Sequence, residues 1–135
     1  MFVLDSSVAV ALVLPAEASA AGRRLMDALV EGAACGPAIW PLEVRNALLS
    51  ALRSRRLSAS AFDAAVEDLG VLPVEIDGAT TGPPLDRALE IARRLDLTIY
   101  DASYLELAER LRLPLASFDK ALVRAAGRLR IPLAE

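Results

Sequence analysis

Residues 1–15 read MFVLDSSVAVALVLP, an apolar run that one acid and two serines interrupt before a second apolar run begins. Phe2–Leu4 is typical of a buried strand, and residues 8–14 are typical of a buried helix. Asp5 would then lie where the chain leaves the strand, at its carboxyl end. Because open α/β sheets bind their ligands at that edge, the stretch predicts an α/β fold with an acid at the ligand site.

Strands and helices are predicted to alternate along the rest of the chain. Helical spacing of apolar residues predicts helices at residues 44–52, 62–69 and 85–95, with two more after Asp101 and Asp119. Short apolar runs predict strands at residues 38–40, 74–76, 113–116 and 131–134. This alternation is typical of a parallel sheet flanked by helices on both faces, and 135 residues suit one domain, 1–135. The segment DGATTGPP, residues 77–84, is predicted to be a plain loop, because it lacks the Walker lysine.

The composition restricts the chemistry that the chain can perform. It has no histidine, and Cys35 is its only cysteine. A Ser-His-Asp triad, a histidine-ligated metal and an internal disulfide are therefore excluded. Hydrolysis would have to use carboxylates and hydroxyls, and carboxylates are the ligands that Mg²⁺ and Mn²⁺ prefer.

The apolar content is high for a small domain. Hydrophobic residues make up 55 % of the chain, and the mean hydropathy is +0.41. Charges interrupt each apolar stretch before it is long enough to cross a membrane, so we expect the excess apolar surface to be buried in an oligomer or against a partner. The N-terminus lacks the features of a signal peptide, so a cytoplasmic location is expected.

Four acids lie at predicted helix starts. Asp5 follows the first strand, Glu43 follows AIWP, Asp101 follows LTIY and Asp119 follows LASF. Each acid, taken alone, is explained equally well by helix capping or by a favourable interaction with the helix dipole. In one parallel sheet, however, all four carboxylates could converge on a common edge. One or two divalent cations would then offset their repulsion.

The stretches VLDSSV, PLEVRNAL, IYDASYLELA and ASFDKAL occur in this order over essentially the whole chain. In series they resemble the PIN-domain ribonucleases, specifically the toxin of VapBC-type (type II) toxin–antitoxin pairs. The resemblance implies that Asp5, Glu43, Asp101 and Asp119 are catalytic residues that bind metal.

The same resemblance implies three supporting residues. Ser7 and Ser117 would be hydroxyl partners near the first and last acids. The family often has threonine at the position of Ser117, and serine keeps the hydroxyl. Asn46 matches the family's E-x-x-N pattern, and its spacing of three residues from Glu43 places both on one helix face.

The implied function is a Mg²⁺- or Mn²⁺-dependent endoribonuclease that hydrolyses phosphodiester bonds in RNA. Its implied partners are RNA and a cognate antitoxin protein. Because an arginine can pair with a carboxylate through two hydrogen bonds, we hypothesise that an antitoxin arginine inhibits by pairing with Asp5 or Asp101. The excess apolar surface predicts a homodimer, and no contact with a membrane is expected. Fourteen of the fifteen basic residues are arginine, which suits bidentate phosphate contacts. The candidate backbone contacts are the run at residues 54–56, Arg112, Lys120, Arg124 and Arg128.

One alternative is a non-catalytic α/β regulatory or binding module of the receiver type. Receiver domains also carry acids at the ends of parallel strands. They need an acidic pair after the first strand and a lysine after the fifth, and the only lysine here, Lys120, adjoins Asp119 and does not fit that pattern. Metal-dependent hydrolysis would distinguish the enzyme from this module.

Overall fold

The computed structural model describes residues 1–14 and 19–134, in which four parallel strands form one sheet of order β3-β2-β1-β4. The strands are β1 (Phe2–Leu4), β2 (Ala34–Pro37), β3 (Val74–Asp77) and β4 (Leu115–Ala116). The helices of these residues are α1 (Ser6–Val13), α2 (Ala20–Glu31), α3 (Trp40–Arg53), α4 (Ala59–Val71), α5 (Pro83–Leu95), α6 (Ile99–Leu111) and α7 (Lys120–Arg128). Helices flank the sheet on both faces, which confirms the predicted α/β class. Over the same residues no helix has both the length and the apolar character needed to cross a bilayer.

Strand β1 forms the centre of the core. It pairs with β2 on one side and β4 on the other, and its three residues are buried. An inner parallel strand is covered on both faces, which explains why β1 is continuously apolar. The backbone N–H of Asp5 donates to the carbonyl of Ala116 at 2.9 Å, so the ends of β1 and β4 lie side by side.

The second strand begins four residues earlier than predicted. The expected strand at residues 38–40 is wrong, because Ala34–Pro37 forms β2 and Trp40 begins α3. Gly36 allows this arrangement, since a Cβ at that position would lie 2.8 Å from Cγ of Trp40. The bulky run AIW looks more like a strand than ACGP does, because small residues have little strand propensity.

Other predicted elements are shorter or absent. Residues 131–134 form only an isolated bridge between Leu133 and Leu115, and the strand predicted at 113–116 shortens to β4. Thr98 caps α6, and the next two residues of the LTIY run, Ile99 and Tyr100, are already helical. No bounds are predicted for helix α2, which Ser19 caps.

Candidate active site

Asp5 is a buried carboxylate held by hydroxyl groups. It is 4 % exposed, and its Oδ2 accepts hydrogen bonds from Oγ of Ser7 at 2.6 Å and Oγ of Ser117 at 2.8 Å. Asp5 occupies the N-cap position of α1, yet its side chain makes no capping hydrogen bond, so capping does not explain this acid. In residues 1–14 and 19–134, no arginine or lysine forms an ion pair with it.

Two backbone amides hold the serine hydroxyls in place. The N–H of Phe118 donates to Oγ of Ser7, and the N–H of Asp119 donates to Oγ of Ser117, each at 3.0 Å. Because each amide occupies an acceptor position on its hydroxyl, the hydroxyl proton is free to point at Asp5. The segment after β4 is thereby tied to the end of β1, and Ser117 contacts the backbone of Asp119 rather than its carboxylate.

Asp101 and Asp119 lie at the starts of two helices. Asp101 is half-buried in the first turn of α6, where its N–H donates to Oγ1 of Thr98 at 3.1 Å. Burial raises the pKa of Asp101, and the charges of Asp119 and Asp5 raise it further. Asp119 is exposed and does cap α7, because its Oδ1 accepts from the N–H of Leu122 at 2.9 Å.

Glu43 reaches the same edge of the sheet from the first turn of α3. Its Oε2 accepts a hydrogen bond from the hydroxyl of Tyr104 at 2.8 Å. Burial raises the pKa of Glu43; the Tyr104 hydrogen bond lowers it, and the charges of Asp5 and Asp101 raise it. Asp5, Glu43 and Asp101 are therefore close enough for their charges to act on one another.

Tyr104 also belongs to this site, although its sequence position does not mark it as a functional residue. Its side chain is completely buried, and it follows Asp101 by three residues on α6. Spacing of three residues places two helical side chains on neighbouring positions, which is the only sequence signal of its role. The same spacing also suits an ordinary core aromatic, so the contact with Glu43 becomes visible only in the fold.

We expect Tyr104→Phe to lower the affinity for Mn²⁺ by roughly tenfold, because loss of a hydrogen bond that orients a ligand typically costs 10- to 100-fold. The fold should survive, since the ring remains in the core. Titration calorimetry with Mn²⁺ measures the affinity. Tyr100→Phe is the matched control, as it removes a hydroxyl from an exposed tyrosine on the same helix. Equal Mn²⁺ affinity in Tyr104→Phe and the parent would show that Tyr104 does not position Glu43.

Asn46 stays apart from this network. It lies on α3 with Glu43, as the spacing predicts, but it is exposed. Within the described part of the chain it makes no side-chain hydrogen bond to any residue of the site.

The side chains of the carboxylates are not arranged around a common metal position. Among residues 1–14 and 19–134, no three acidic or cysteine side chains are grouped so that they could hold an ion. Their chemistry nevertheless fits a hard divalent cation, since the donors are all oxygens and the buried Asp5 has no cationic partner there. Burial raises the pKa of Glu43 and of Asp101, and the neighbouring carboxylates raise it further; a cation would offset the charge of these neighbours. Binding would require side chains of the site to rotate toward a common ion.

A parallel sheet with interacting carboxylates at its carboxyl edge places this chain among α/β proteins whose ligand site lies at the strand ends. More particularly, the chain belongs to the PIN domain family, whose model matches residues 2–128. PIN domains are generally nucleases, and hence hydrolases, and PIN nucleases generally use divalent metals. Membership in this family, rather than among receiver domains, favours the enzyme interpretation.

Nine chains of solved structures match this one, and two of them show how the sequence identity varies. One is PAE2754 from Pyrobaculum aerophilum, with 26 % sequence identity over 92 % of this chain and 84 % of the other, and a TM-score of 0.67. The second is FitAcB from Neisseria gonorrhoeae, with a TM-score of 0.69 over 100 % of this chain and 97 % of the other. Its sequence identity is 16 %, so this likeness concerns the fold alone. No curated protein sequence matches significantly.

Proposed function

We propose that the chain, as one nuclease domain over residues 1–135, is a Mg²⁺- or Mn²⁺-dependent endoribonuclease and the toxin of a VapBC-type pair. The observation that carries the proposal is Asp5, a buried carboxylate at the end of β1 whose side chain is held by two serine hydroxyls. The charges of Glu43 and Asp101 act on the same site. Family membership and the four motifs in series support the assignment.

The four acids, Asp5, Glu43, Asp101 and Asp119, would hold the cation. A bound divalent metal activates water for attack on a phosphodiester and stabilises the leaving oxygen. The chain contributes orientation: Ser7 and Ser117 hold Asp5, and the hydroxyl of Tyr104 holds Glu43. Because the chain has no histidine, proton transfer falls to carboxylates and water.

The proposed partners are RNA, a cognate antitoxin and a second copy of the chain, in the cytoplasm. Exposed arginines, including Arg124 and Arg128 on α7, suit contacts with RNA phosphates. Val30 on α2 and Val71 on α4 are 78 % and 80 % exposed, which supports a contact with another chain. An antitoxin arginine would inhibit by forming a bidentate pair with Asp5 or Asp101 in place of the metal.

The direct test is incubation of the purified chain with cellular RNA in Mg²⁺, in Mn²⁺ or in EDTA, followed by sequencing of new 5′ ends. We expect discrete cleavage sites with either metal and none in EDTA, because four carboxylates cannot perform the reaction without a cation. Addition of the neighbouring gene product should suppress cleavage, and excess metal should partly restore it. RNA binding without cleavage in any metal would instead indicate a binding module.

A further inference from the structure

A cavity of about 300 Å³ lies at the same edge of the sheet as the acids, over the other half of the sheet. Its lining comes from the ends of β2 and β3, the loop after β3, and helices α5 and α6. Asp5 follows β1, which is next to β2, so the cavity lies beside the acids along the same edge of the sheet. Helix α6 links the two sites directly, because Tyr100 lines the cavity and Asp101 is the next residue.

Most of the cavity lining is apolar, including Ile39, Leu85 and Leu107. Tyr100 also lines it, and 57 % of this residue is exposed. Proteins bind unpaired bases by stacking them on exposed aromatic side chains, because every base has a π-face. Tyr100, next to the apolar lining, could bind a base in this way.

Three lining residues form an ion-pair network. Nε of Arg110 donates to Oε1 of Glu106 at 2.6 Å, and its Nη1 and Nη2 donate to the two oxygens of Asp77 at 3.2 and 3.0 Å. Glu106 is 5 % exposed, so it is a charged group built into the interior beside the cavity. Two carboxylates around one guanidinium leave a net negative charge, which disfavours a phosphate and favours a ligand with N–H donors.

We propose that this cavity receives one unpaired nucleobase of the RNA substrate, next to the scissile phosphate, and prefers guanine. The proposal rests on the proposed ribonuclease function. A volume of about 300 Å³ is at the lower end for ligand sites and suits one base better than a peptide helix. The Watson–Crick edge of guanine carries two kinds of N–H donor, the ring N1–H and the amino group on C2, which the two carboxylates can accept. Uracil offers a single N–H between two carbonyls and matches this lining least well.

The test uses the full chain in EDTA, so that binding is measured without cleavage. The four ribonucleoside 5′-monophosphates are titrated while backbone amide signals are followed by NMR. We expect the guanine nucleotide to shift the amides of Ala88, Ser103 and Leu107, and to bind about tenfold more tightly than the uracil nucleotide. Absence of shifts at these residues, or equal affinity for all four nucleotides, would overturn the proposal.

Substitutions in the lining test which surface binds the base. Tyr100→Ala should weaken binding of the guanine nucleotide about tenfold through loss of stacking, and Leu85→Ala should weaken it to a smaller extent. Leu89→Ala is the matched control, because Leu89 is an exposed leucine of the same helix that does not line this cavity. Glu106→Gln should remove the preference for guanine. If that variant does not fold, the nucleotide series on the parent chain still decides the question.

The two proposals can fail separately. Metal-dependent RNA cleavage without any nucleotide shift at the cavity would overturn the base site and leave the ribonuclease. Selective guanine binding at the cavity without cleavage in any metal would support the base site and overturn the ribonuclease. If the antitoxin or a second copy of the chain shifts these amides and no nucleotide does, the cavity is a protein interface and the base site is wrong.

Discussion

Asp101→Asn is expected to slow metal-dependent RNA cleavage about 1,000-fold, because metal catalysis supplies several kcal/mol and each 1.4 kcal/mol changes a rate tenfold. The substitution removes one charge from the proposed metal site and keeps the size of the side chain. The backbone N–H that donates to Thr98 is unaffected, so the cap of α6 is preserved. The measurement is the single-turnover rate of cleavage of one defined RNA in Mg²⁺ and in Mn²⁺.

Asp86→Asn is the matched control, because Asp86 is an exposed acid in the first turn of α5. It should cleave at the parent rate.

Thermal unfolding of Asp101→Asn gives a second measurement that does not depend on activity. Because the charges of Asp119 and Asp5 disfavour ionised Asp101, the asparagine variant in EDTA should be at least as stable as the parent. It should also lose the stabilisation that Mn²⁺ gives the parent. Cleavage at the parent rate by Asp101→Asn would show that the metal assignment is wrong.

Arg110→Met is expected to lower the free energy of unfolding by about 3 kcal/mol at neutral pH, because removal of one partner from a buried ion pair leaves an uncompensated charge. That charge is Glu106, whose side chain is 7 % exposed. Asp77 loses its arginine in the same substitution. Methionine keeps much of the aliphatic length of arginine, so the packing loss is small. Urea denaturation followed by circular dichroism measures the difference.

Arg87→Met is the control for burial. Arg87 also bridges two acids, Glu90 and Glu109, but their side chains are 64 % and 37 % exposed. Exposed pairs of this kind contribute about 0 to 1 kcal/mol, so this variant should be nearly as stable as the parent. If both variants lose a similar free energy of unfolding, the burial of Glu106 does not explain the effect of Arg110→Met.

The stability difference between the parent and Arg110→Met should depend on pH. Hydrogen bonds from Arg110 hold the pKa of Asp77 below its usual value. The pair therefore stabilises the parent above the pKa of an unfolded aspartate, about 4, and this contribution disappears as the pH falls through the lower pKa of the folded state. The difference in free energy of unfolding between the parent and Arg110→Met should therefore become smaller as the pH is lowered. A difference that is unchanged at low pH would mean that Arg110 acts through packing alone.

The sequence by itself was enough to predict the fold class, because apolar periodicity records which face of each helix or strand is buried. The β1–Asp5–α1 unit and the parallel arrangement are as predicted. Prediction failed at β2, where packing rather than strand propensity controls the local structure. Only a residue without a Cβ fits at position 36 beside the Trp40 side chain, and the composition of ACGP gives no sign of that close approach.

The sequence also selected the acids, since their positions beside short motifs are local features. The resemblance implied Ser7 and Ser117 as hydroxyl partners, but it did not determine which carboxylate each long-range contact reaches. Ser117 lies 112 residues from Asp5, Tyr104 lies 61 residues from Glu43, and Arg110 lies 33 residues from Asp77. These contacts depend on the strand order β3-β2-β1-β4, which places the ends of β1 and β4 together and leaves β3 at the edge. Periodicity carries no information about that order. Only the tertiary structure therefore decided that Ser117 holds Asp5, that the phenol of Tyr104 holds Glu43 and where the cavity lies.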